Sequence, residues 1–432
     1  MRYDPINPAL FKENRERYAS SLLPGSLAIF NSNDQFPRSN DQPFPFRQNS
    51  DLFYLTGITQ EKTILLLYPD CPNPNLREVL FILKGDELLE TWEGHKLTRI
   101  EATGISGIKK VMFLDDFDVI LTEVMVYAEN VYLNSTEYIK YFNPVPYRDL
   151  RFISDLKEKY PNHTYKRSAP VMHKLRTIKS EEEIALIRKA IDITNKAFHR
   201  VLKSLKPGKF EFEVQADIEH EFTINRAEGS AYYPIIASGK NACALHYVSN
   251  DQLCNDGDLL LMDFGAEYAC YAADITRTIP VNGHFSPRQR ACYDTVYRVL
   301  QKATTLMVPG NTIDKLNQEV NKMMEQEMIS LNLFTREQVS AQSPDKPLYS
   351  KYFMHGTSHF LGLDVHDLGS KYEPFKPGMV LTCEPGLYIA EEKIGIRIEN
   401  NILVTENGPV NLSAEIPVDP DEIEKMMNAY LE

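Results

Sequence analysis

Two aspartates that stand inside apolar, strand-like runs constrain the fold more than any other feature of this sequence. Asp263 interrupts LLLMDFG, and Asp274 interrupts ACYAADITRT. A carboxylate without a partner in such surroundings would lose its hydration and raise the free energy of the folded state. Each aspartate therefore needs a partner, and the sequence offers Arg277, Arg397 or a bound cation.

Three further side chains favour the cation. His359 lies in HGTSHFLGLDVHD, Glu384 in CEPGLY and Glu399 in GIRIENN. With the two aspartates they offer four carboxylates and one imidazole, which suit hard or borderline divalent cations, and two such cations would neutralise the four charges. We interpret the five residues as a two-metal hydrolytic centre that activates a shared water. For either aspartate taken alone, a salt bridge to an arginine stays open.

Several other kinds of active site have no counterpart in the sequence. It contains no GxSxG or HExxH motif, no P-loop, no dinucleotide-binding fingerprint and no cysteine–histidine pattern of a thiol protease. A formal net charge of −13 disfavours nucleic acids and anionic membranes as partners. Six scattered cysteines, a charged N-terminus and the lack of a long apolar segment predict a cytoplasmic protein with reduced thiols.

The length of 432 residues favours two domains. In the first part, the strand-like runs SLAIF, TILLLYPD and EVLFILKGD alternate with predicted helical stretches, among them residues 8–22 and VMVYAENVYLN (124–134). This alternation predicts an α/β domain. A basic, proline-containing segment at 161–180 follows, and we place the two domains at residues 1–168 and 169–432.

The second part carries strong signals for helix starts. Ser180 with Glu183, and Ser286 with Gln289, predict capping boxes at the beginnings of two helices, and residues 211–227 form another amphipathic stretch. The first helix should bury one face, which consists of Ile184, Ile187, Ile191, Thr194, Phe198 and Val201.

Four strand-like runs lie between and after these helices, at residues 258–268, 269–281, 378–389 and 395–405. They place the two aspartates on one pair of neighbouring strands and the two glutamates on another. The sequence therefore predicts one hairpin arrangement used twice, with the metal pair between the two copies. The fold class is α/β (α+β).

At these motifs the chain resembles the pita-bread metallopeptidases, and within them the aminopeptidase P branch. The order Asp, Asp, His, Glu, Glu, the spacing of the two aspartates and the words HGTSHFLGLDVHD, EPGLY and GIRIEN carry the resemblance over about residues 175–432. FRQNSDLFYLTG (46–57) and, more weakly, TWEGHKL (91–97) are similar to the creatinase-type N-terminal domain. The resemblance implies that a dinuclear-metal enzyme with metal-bridging hydroxide releases the N-terminal residue from peptides with proline in second position.

The resemblance also implies a role for each ligand. Asp263 would bind one metal, His359 with Glu384 the other, and Asp274 and Glu399 would bridge the two. Two divalent ions are implied, with manganese favoured and cobalt, zinc or magnesium as alternatives. Glu384 would also accept a proton and relay it to the proline nitrogen.

Further residues match the family's catalytic and substrate-binding positions. His246 and His366 would contact the scissile amide and its carbonyl oxygen, and His355 would line the proline pocket. Tyr388 and Arg397 would support these groups, and Tyr232 would face the same pocket. The implied substrate-binding set is His355, Tyr232, Tyr388 and Arg397.

Two other functions stay open. A prolidase, which cleaves Xaa-Pro dipeptides, would use the same ligands, and a non-catalytic pita-bread module would bind peptides without cleaving them. Retention of all five ligands disfavours the module, and comparison of a dipeptide with a tripeptide would separate the two enzymes. The resemblance also implies a homo-oligomer, either a dimer or a tetramer.

Overall fold

The computed structural model describes residues 2–138, 140 and 144–429. The chain divides into two compact units, Tyr3–Arg176 and Thr177–Glu432, with Arg2 assigned to the second. The division lies in the later part of segment 161–180. The boundary between residues 168 and 169 stays a prediction.

The first unit contains a six-stranded mixed sheet in the order β6-β5-β4-β1-β7-β8, and β2 with β3 forms a separate small hairpin. The strands are β1 (Ser26–Asn31), β2 (Pro37–Ser39), β3 (Gln42–Pro43), β4 (Ile64–Leu67), β5 (Glu78–Ile82), β6 (Val111–Phe113), β7 (Asn130–Leu133) and β8 (Thr164–Arg167). The helices are α1 (Pro8–Ala19), α2 (Ser50–Thr56), α3 (Glu87–Glu93), α4 (Arg99–Ser106), α5 (Phe117–Met125), α6 (Arg148–Lys159) and α7 (Ala169–Thr177).

The three strand-like runs of the first unit become β1, β4 and β5, so those predictions are confirmed. The opening helix is shorter than predicted, because it ends at Ala19 and not at residue 22. The helical interpretation of residues 124–134 is wrong beyond Met125. This segment contains only the end of α5 and then strand β7, whose Val131 and Leu133 join the apolar core of the sheet.

The second unit contains the predicted site. Its helices are α8 (Glu181–Ser204), α9 (Glu211–Ile224), α10 (Pro287–Thr305), α11 (Ile313–Ser330), α12 (Arg336–Ser340) and α13 (Pro420–Ala429). Its strands are β9 (Gly229–Ser230), β10 (Ile235–Ser238), β11 (Leu259–Phe264), β12 (Ala266–Tyr268), β13 (Tyr271–Ala272), β14 (Ile275–Pro280), β15 (Val380–Cys383), β16 (Gly386–Ile389), β17 (Ile394–Arg397), β18 (Asn400–Thr405) and β19 (Gly408–Asn411).

The helix-start signals of the second unit are confirmed. Both capping boxes are formed, at Ser180 with Glu183 and at Ser286 with Gln289, so side chains satisfy backbone donors that a helix leaves unpaired. All the residues of the predicted apolar face of α8 are buried. The mixed helix and sheet content of both units confirms the predicted fold class.

One hairpin arrangement occurs twice, as predicted. Strands β11 and β14 pair antiparallel, and the chain between them forms the inner hairpin of β12 with β13. Strands β15 and β18 pair in the same way around the inner hairpin of β16 with β17. In the first of these arrangements the backbone of Gly265 packs closely against that of Ala273. Only glycine fits there, because a Cβ at position 265 would lie 1.8 Å from the carbonyl oxygen of Ala273.

Two further findings concern disulfides and membrane-spanning helices. Within the described residues, no two cysteines form a disulfide. None of the helices in that part of the chain is both long and apolar enough to cross a lipid bilayer.

Candidate functional site

The five predicted ligands line one cavity of about 310 Å³ in the second unit. Of the other predicted site residues, Tyr232, His246, His355, His366 and Arg397 also line it. Tyr388 does not line the cavity but lies behind His355 and Arg397 and hydrogen-bonds to both. The structure therefore brings together residues that are scattered over positions 232–399 of the sequence.

The strand register places the aspartates on one face. Asp263 pairs with Thr276 across β11 and β14, and Asp274 lies two residues before Thr276. Because side chains alternate along a strand, Asp274 and Thr276 point to the same side. The Thr276 hydroxyl donates to Oε2 of Glu399 at 2.7 Å, and the Glu399 amide donates to the Thr276 carbonyl at 3.0 Å. These bonds join the two hairpin arrangements at the site.

His359 points one ring nitrogen at the carboxylates. Its Nδ1 lies 3.0 Å from the Phe360 carbonyl, which can only accept, so Nδ1 carries the hydrogen. Its Nε2 lies 3.3 Å from Oδ2 of Asp274 and 3.5 Å from Oε1 of Glu384. Metal-binding histidines are commonly oriented in this way, with the second nitrogen bonded to a carbonyl or carboxylate.

The residues fit a bound cation. Ligand atoms of Asp274, His359 and Glu399 all lie within 4.8 Å of one another. Oε1 of Glu399 is buried and, within the described part of the chain, has no hydrogen-bond partner. A buried carboxylate oxygen without a partner is costly, and a divalent cation would compensate it.

The pKa values of the site residues also favour a bound cation. Burial and the neighbouring carboxylates raise the pKa of Glu399 well above its ordinary value. Burial also raises the pKa of Asp274, and it raises that of Glu384 to about 7. Burial alone would lower the pKa of His359, but its bond to Asp274 and the nearby Glu384 raise it to about 9. Carboxylates crowded in this way repel one another, which favours cation binding.

Of the two arginines considered as partners of the aspartates, Arg397 takes this role. Its Nη2 donates to Oδ2 of Asp263 at 2.6 Å, and its Nη1 donates to the Tyr388 hydroxyl at 2.9 Å. Arg277 is fully buried and donates instead to the amide oxygen of Asn400 and to backbone carbonyls. A salt bridge to an arginine therefore involves one oxygen of Asp263, whereas Asp274 contacts other side chains.

Tyr232 contacts both aspartates, which the sequence analysis did not predict. Its hydroxyl is 2.5 Å from Oδ1 of Asp263 and 2.6 Å from Oδ1 of Asp274. Burial and these two carboxylates raise the pKa of Tyr232 well above its ordinary value. The predicted role of Tyr232 in substrate binding stays a prediction, and its contact with both aspartates is a finding of the structure.

A chain of hydrogen bonds orients His355. Its Nδ1 lies 2.8 Å from the Gly356 carbonyl and therefore donates, and its Nε2 lies 2.8 Å from the Tyr388 hydroxyl. Burial, together with the charge of Arg397, lowers the pKa of His355 to about 4. The neutral ring therefore accepts from Tyr388 through Nε2, and Arg397 in turn donates to Tyr388.

The loop that carries His359 and His366 is held by residues that the sequence analysis missed. The two rings lie 4.4 Å apart, and the amide of Asp367 donates to the Phe360 carbonyl at 2.9 Å. Nζ of Lys179 donates to Asp367 at 3.1 Å, and both side chains are 1% exposed. The only sequence signal was a lysine directly before the capping box of α8 and an aspartate that closes LDVHD.

Gly362 leaves the space that the ion pair of Lys179 with Asp367 occupies. A Cβ at position 362 would lie 2.1 Å from Oδ2 of Asp367 and 3.0 Å from Nζ of Lys179. Only glycine therefore lets the ion pair pack against the loop backbone.

The walls of the cavity also include apolar residues that the sequence analysis did not single out. They are Tyr233, Ile235, Leu245, Val248 and Val365. Tyr233 and Val248 are exposed at 81% and 53%, so they lie where a bound molecule would still reach solvent. A cavity with an acidic base and apolar walls suits a molecule with a positive or metal-binding end and a hydrophobic body.

Comparison with known proteins gives consistent matches over almost the whole chain. The model of metallopeptidase family M24 matches residues 185–406, and that of the aminopeptidase P N-terminal domain matches residues 11–132. The Xaa-Pro aminopeptidase of Escherichia coli is 36% identical, with 97% of each chain covered. That of Haemophilus influenzae is 35% identical at the same coverage. The structure of zinc-substituted Escherichia coli aminopeptidase P in complex with product matches with a TM-score of 0.90, at 35% identity over 99% of both chains.

Proposed function

Because this chain belongs to metallopeptidase family M24, we propose that its site holds divalent cations and hydrolyses the bond before a proline in the second position of a peptide. The enzyme is a metallo-aminopeptidase of the Xaa-Pro type with a pita-bread catalytic domain and an aminopeptidase P N-terminal domain. The observation that carries the proposal is the convergence of the five predicted ligands in one cavity, where a buried oxygen of Glu399 has no hydrogen-bond partner among the described residues.

We assign the cations to the five ligands predicted from the sequence. His359 and Glu384 lie together on one side, Asp263 lies beside Arg397, and Asp274 and Glu399 are the deeply buried pair that would bridge two ions. Manganese is our first candidate because oxygen donors predominate, with cobalt, zinc and magnesium as alternatives. When bound, the ions would acidify water and stabilise negative charge on the substrate carbonyl oxygen.

The remaining steps belong to side chains of the protein. Glu384 is our choice for the group that accepts the proton of the attacking water and delivers it to the proline nitrogen. Its Oε2 lies 3.9 Å from Nδ1 of His355, so the proposed proton carrier and the imidazole of His355 are neighbours in the cavity. His366 would donate a hydrogen bond to the carbonyl oxygen as it becomes negative, and His246 would contact the scissile amide.

The shape of the site suits a penultimate proline. A bond before proline is a tertiary amide without an N–H, so recognition depends on shape more than on a hydrogen-bond acceptor. His355 and the apolar walls would enclose the ring, and Tyr388 with Arg397 would hold His355 in place. The free α-amino group of the substrate would meet the acidic, metal-bound base of the cavity, which would restrict cleavage to the N-terminus.

The enzyme is expected to prefer an Xaa-Pro-Xaa tripeptide over an Xaa-Pro dipeptide by at least about tenfold in kcat/KM. Arg397 is the one lysine or arginine among the described lining residues, and Asp263 and Tyr388 already engage it. The free carboxylate of a dipeptide would therefore find no free lysine or arginine among the described lining residues. Initial rates on matched peptides with manganese added measure the ratio, with an Xaa-Ala-Xaa tripeptide as control. A preference for the dipeptide would identify a prolidase.

We also propose a cytoplasmic location and a dimer or tetramer of identical chains. The free cysteines among the described residues support a reducing compartment, and the formal net charge of −13 disfavours an anionic membrane surface as a partner. Light scattering coupled to gel filtration, at micromolar concentration, is expected to give two or four times the 49.6 kDa of one chain. A mass of one chain under these conditions would contradict the oligomer.

A further inference from the structure

Glu211 is a fully buried carboxylate that touches none of the ligands of the proposed metal site. It is the first residue of α9 and is 0% exposed. Its hydrogen-bond donors lie instead at the end of β10 and in the loop between β10 and β11, which carries His246 into the cavity.

Four donors converge on this one carboxylate. Oε1 accepts from the amide of Ser238 at 2.7 Å and from Nδ2 of Asn241 at 3.0 Å. Oε2 accepts from the hydroxyl of Tyr247 at 2.7 Å and from the amide of Gln252 at 3.0 Å. Two donors precede His246 in the sequence and two follow it, so the carboxylate ties both sides of the loop to α9.

The loop is also held by apolar packing, because Ala242 is buried in a cluster against which Leu245 and Tyr247 pack. Ala244, His246, Val248 and Ser249 are all exposed, and Tyr247 is half-buried. Asn250 provides a second attachment, because its Nδ2 donates to the Pro234 carbonyl at 2.9 Å. The position of His246, which is itself exposed, therefore depends both on this packing and on the hydrogen bonds at the two flanks of the loop.

A carboxylate is the side chain that this position requires. It accepts through both oxygens and donates through neither, so four donors can be satisfied at once. A glutamine of the same shape would turn its amide hydrogens toward two of those donors. The Asn241 amide could flip and the Tyr247 hydroxyl could accept, but the backbone amide of either Ser238 or Gln252 would lose its acceptor, which weakens one flank of the loop.

We infer that Glu211 is a positioning residue, which holds the loop of residues 239–252 so that His246 meets the scissile amide. This inference rests on the role proposed above for His246. A hydrogen bond to a reacting group accelerates the reaction only while its geometry is maintained, and a displacement of about 1 Å can cost about 100-fold in rate. Glu211 thus acts on the reaction only through His246.

The test is a double-mutant cycle of Glu211→Gln and His246→Ala on an Xaa-Pro-Xaa tripeptide. Glu211→Gln is expected to lower kcat by about 10- to 100-fold with KM changed by less than about threefold. In the His246→Ala background the same substitution is expected to change kcat by less than about twofold, because the ring it positions is gone. Thermal unfolding with and without manganese reports whether each variant is folded and binds metal.

Glu183→Gln is the matched control. Glu183 is 1% exposed and accepts from the Ser180 amide and the Tyr271 hydroxyl, so it resembles Glu211 in chemistry, but neither donor belongs to the His246 loop. Its substitution is expected to lower stability and leave kcat within about twofold. Tyr247→Phe is the milder second variant, for use if Glu211→Gln does not fold. It removes one of the four donors and should lower kcat by about threefold, again only while His246 is present.

The outcomes separate the inference from the proposed function. If His246→Ala keeps full activity, the proposed role of His246 is wrong and the inference falls with it. If His246→Ala is impaired but folded Glu211→Gln or Tyr247→Phe keeps the kcat of the unmodified enzyme, only the positioning role is wrong. Losses that multiply in the double mutant would likewise overturn it, because Glu211 would then act independently of His246.

Discussion

Glu399→Gln is expected to make the metal-free protein more stable and the enzyme almost inactive. Glutamine keeps the shape of Glu399 but removes one of several buried carboxylates that repel one another. The melting temperature of the metal-free form should rise by roughly 2–4 °C for each kcal/mol of relieved repulsion. Manganese should then shift the melting temperature much less than in the unmodified protein, and kcat should fall by at least about 100-fold.

Thermal unfolding in chelator and in excess manganese, with metal analysis and turnover on a tripeptide, measures all three effects. Loss of activity alone would not distinguish a metal ligand from an ordinary structural residue. The higher melting temperature of the metal-free variant, together with its smaller manganese-dependent shift, makes this distinction. Substitution of a structural residue would instead destabilise both the metal-free and the metal-bound protein. A manganese-dependent shift that matches that of the unmodified protein would contradict the assignment of Glu399 as a ligand.

The sequence predicted the parts of the site that depend on short-range order. The capping box of Ser180 with Glu183 involves residues three apart, and the hairpin arrangements follow from alternating runs with turns between them. Once the strands β11 and β14 are paired, Asp263 and Asp274 must lie on one face. The motif from which these ligands were predicted therefore also predicts their local geometry.

The contacts that the sequence did not reveal join residues far apart in the chain. Lys179 and Asp367 are 188 positions apart, and neither apolar periodicity nor turn signals relate them. The four bonds of Glu211 also depend on how α9 packs beside a loop, which the pattern of α9 alone does not determine. Such contacts follow from tertiary packing, and propensity and periodicity carry no information about them.

Which arginine pairs with the aspartates, Arg277 or Arg397, was predictable from the sequence only in part. Arg277 follows Thr276 in β14, so strand alternation turns its side chain away from the face that carries Asp263 and Asp274. The alternation was readable in the sequence and disfavours Arg277 as their partner. That Arg397 reaches Asp263 depends on the packing of β17 against β14, through contacts of Arg397 with Thr276 and Thr278.

Arg277→Met is expected to destabilise the second unit by about 3–5 kcal/mol, far more than a typical substitution. Arg277 is 0% exposed and donates to the carbonyls of Thr276, Glu399, Ile416 and Pro417 and to the amide oxygen of Asn400. Methionine fills part of the volume but removes all five of these buried hydrogen bonds, and water cannot replace the lost donors there. The denaturant midpoint of the second unit, followed at fixed pH without metal, measures the loss.

Arg298→Met provides the comparison that makes this prediction specific. Arg298 donates to Glu327 at 2.6 Å, but its side chain is 49% exposed, so water replaces the lost bond. Its substitution should cost less than about 1 kcal/mol. Arg277 also holds the Glu399 carbonyl at 2.6 Å, so Arg277→Met protein that still folds should bind manganese more weakly, whereas Arg298→Met should not. Equal, small losses in both variants would show that the buried guanidinium is not what joins β14 to the chain around Glu399.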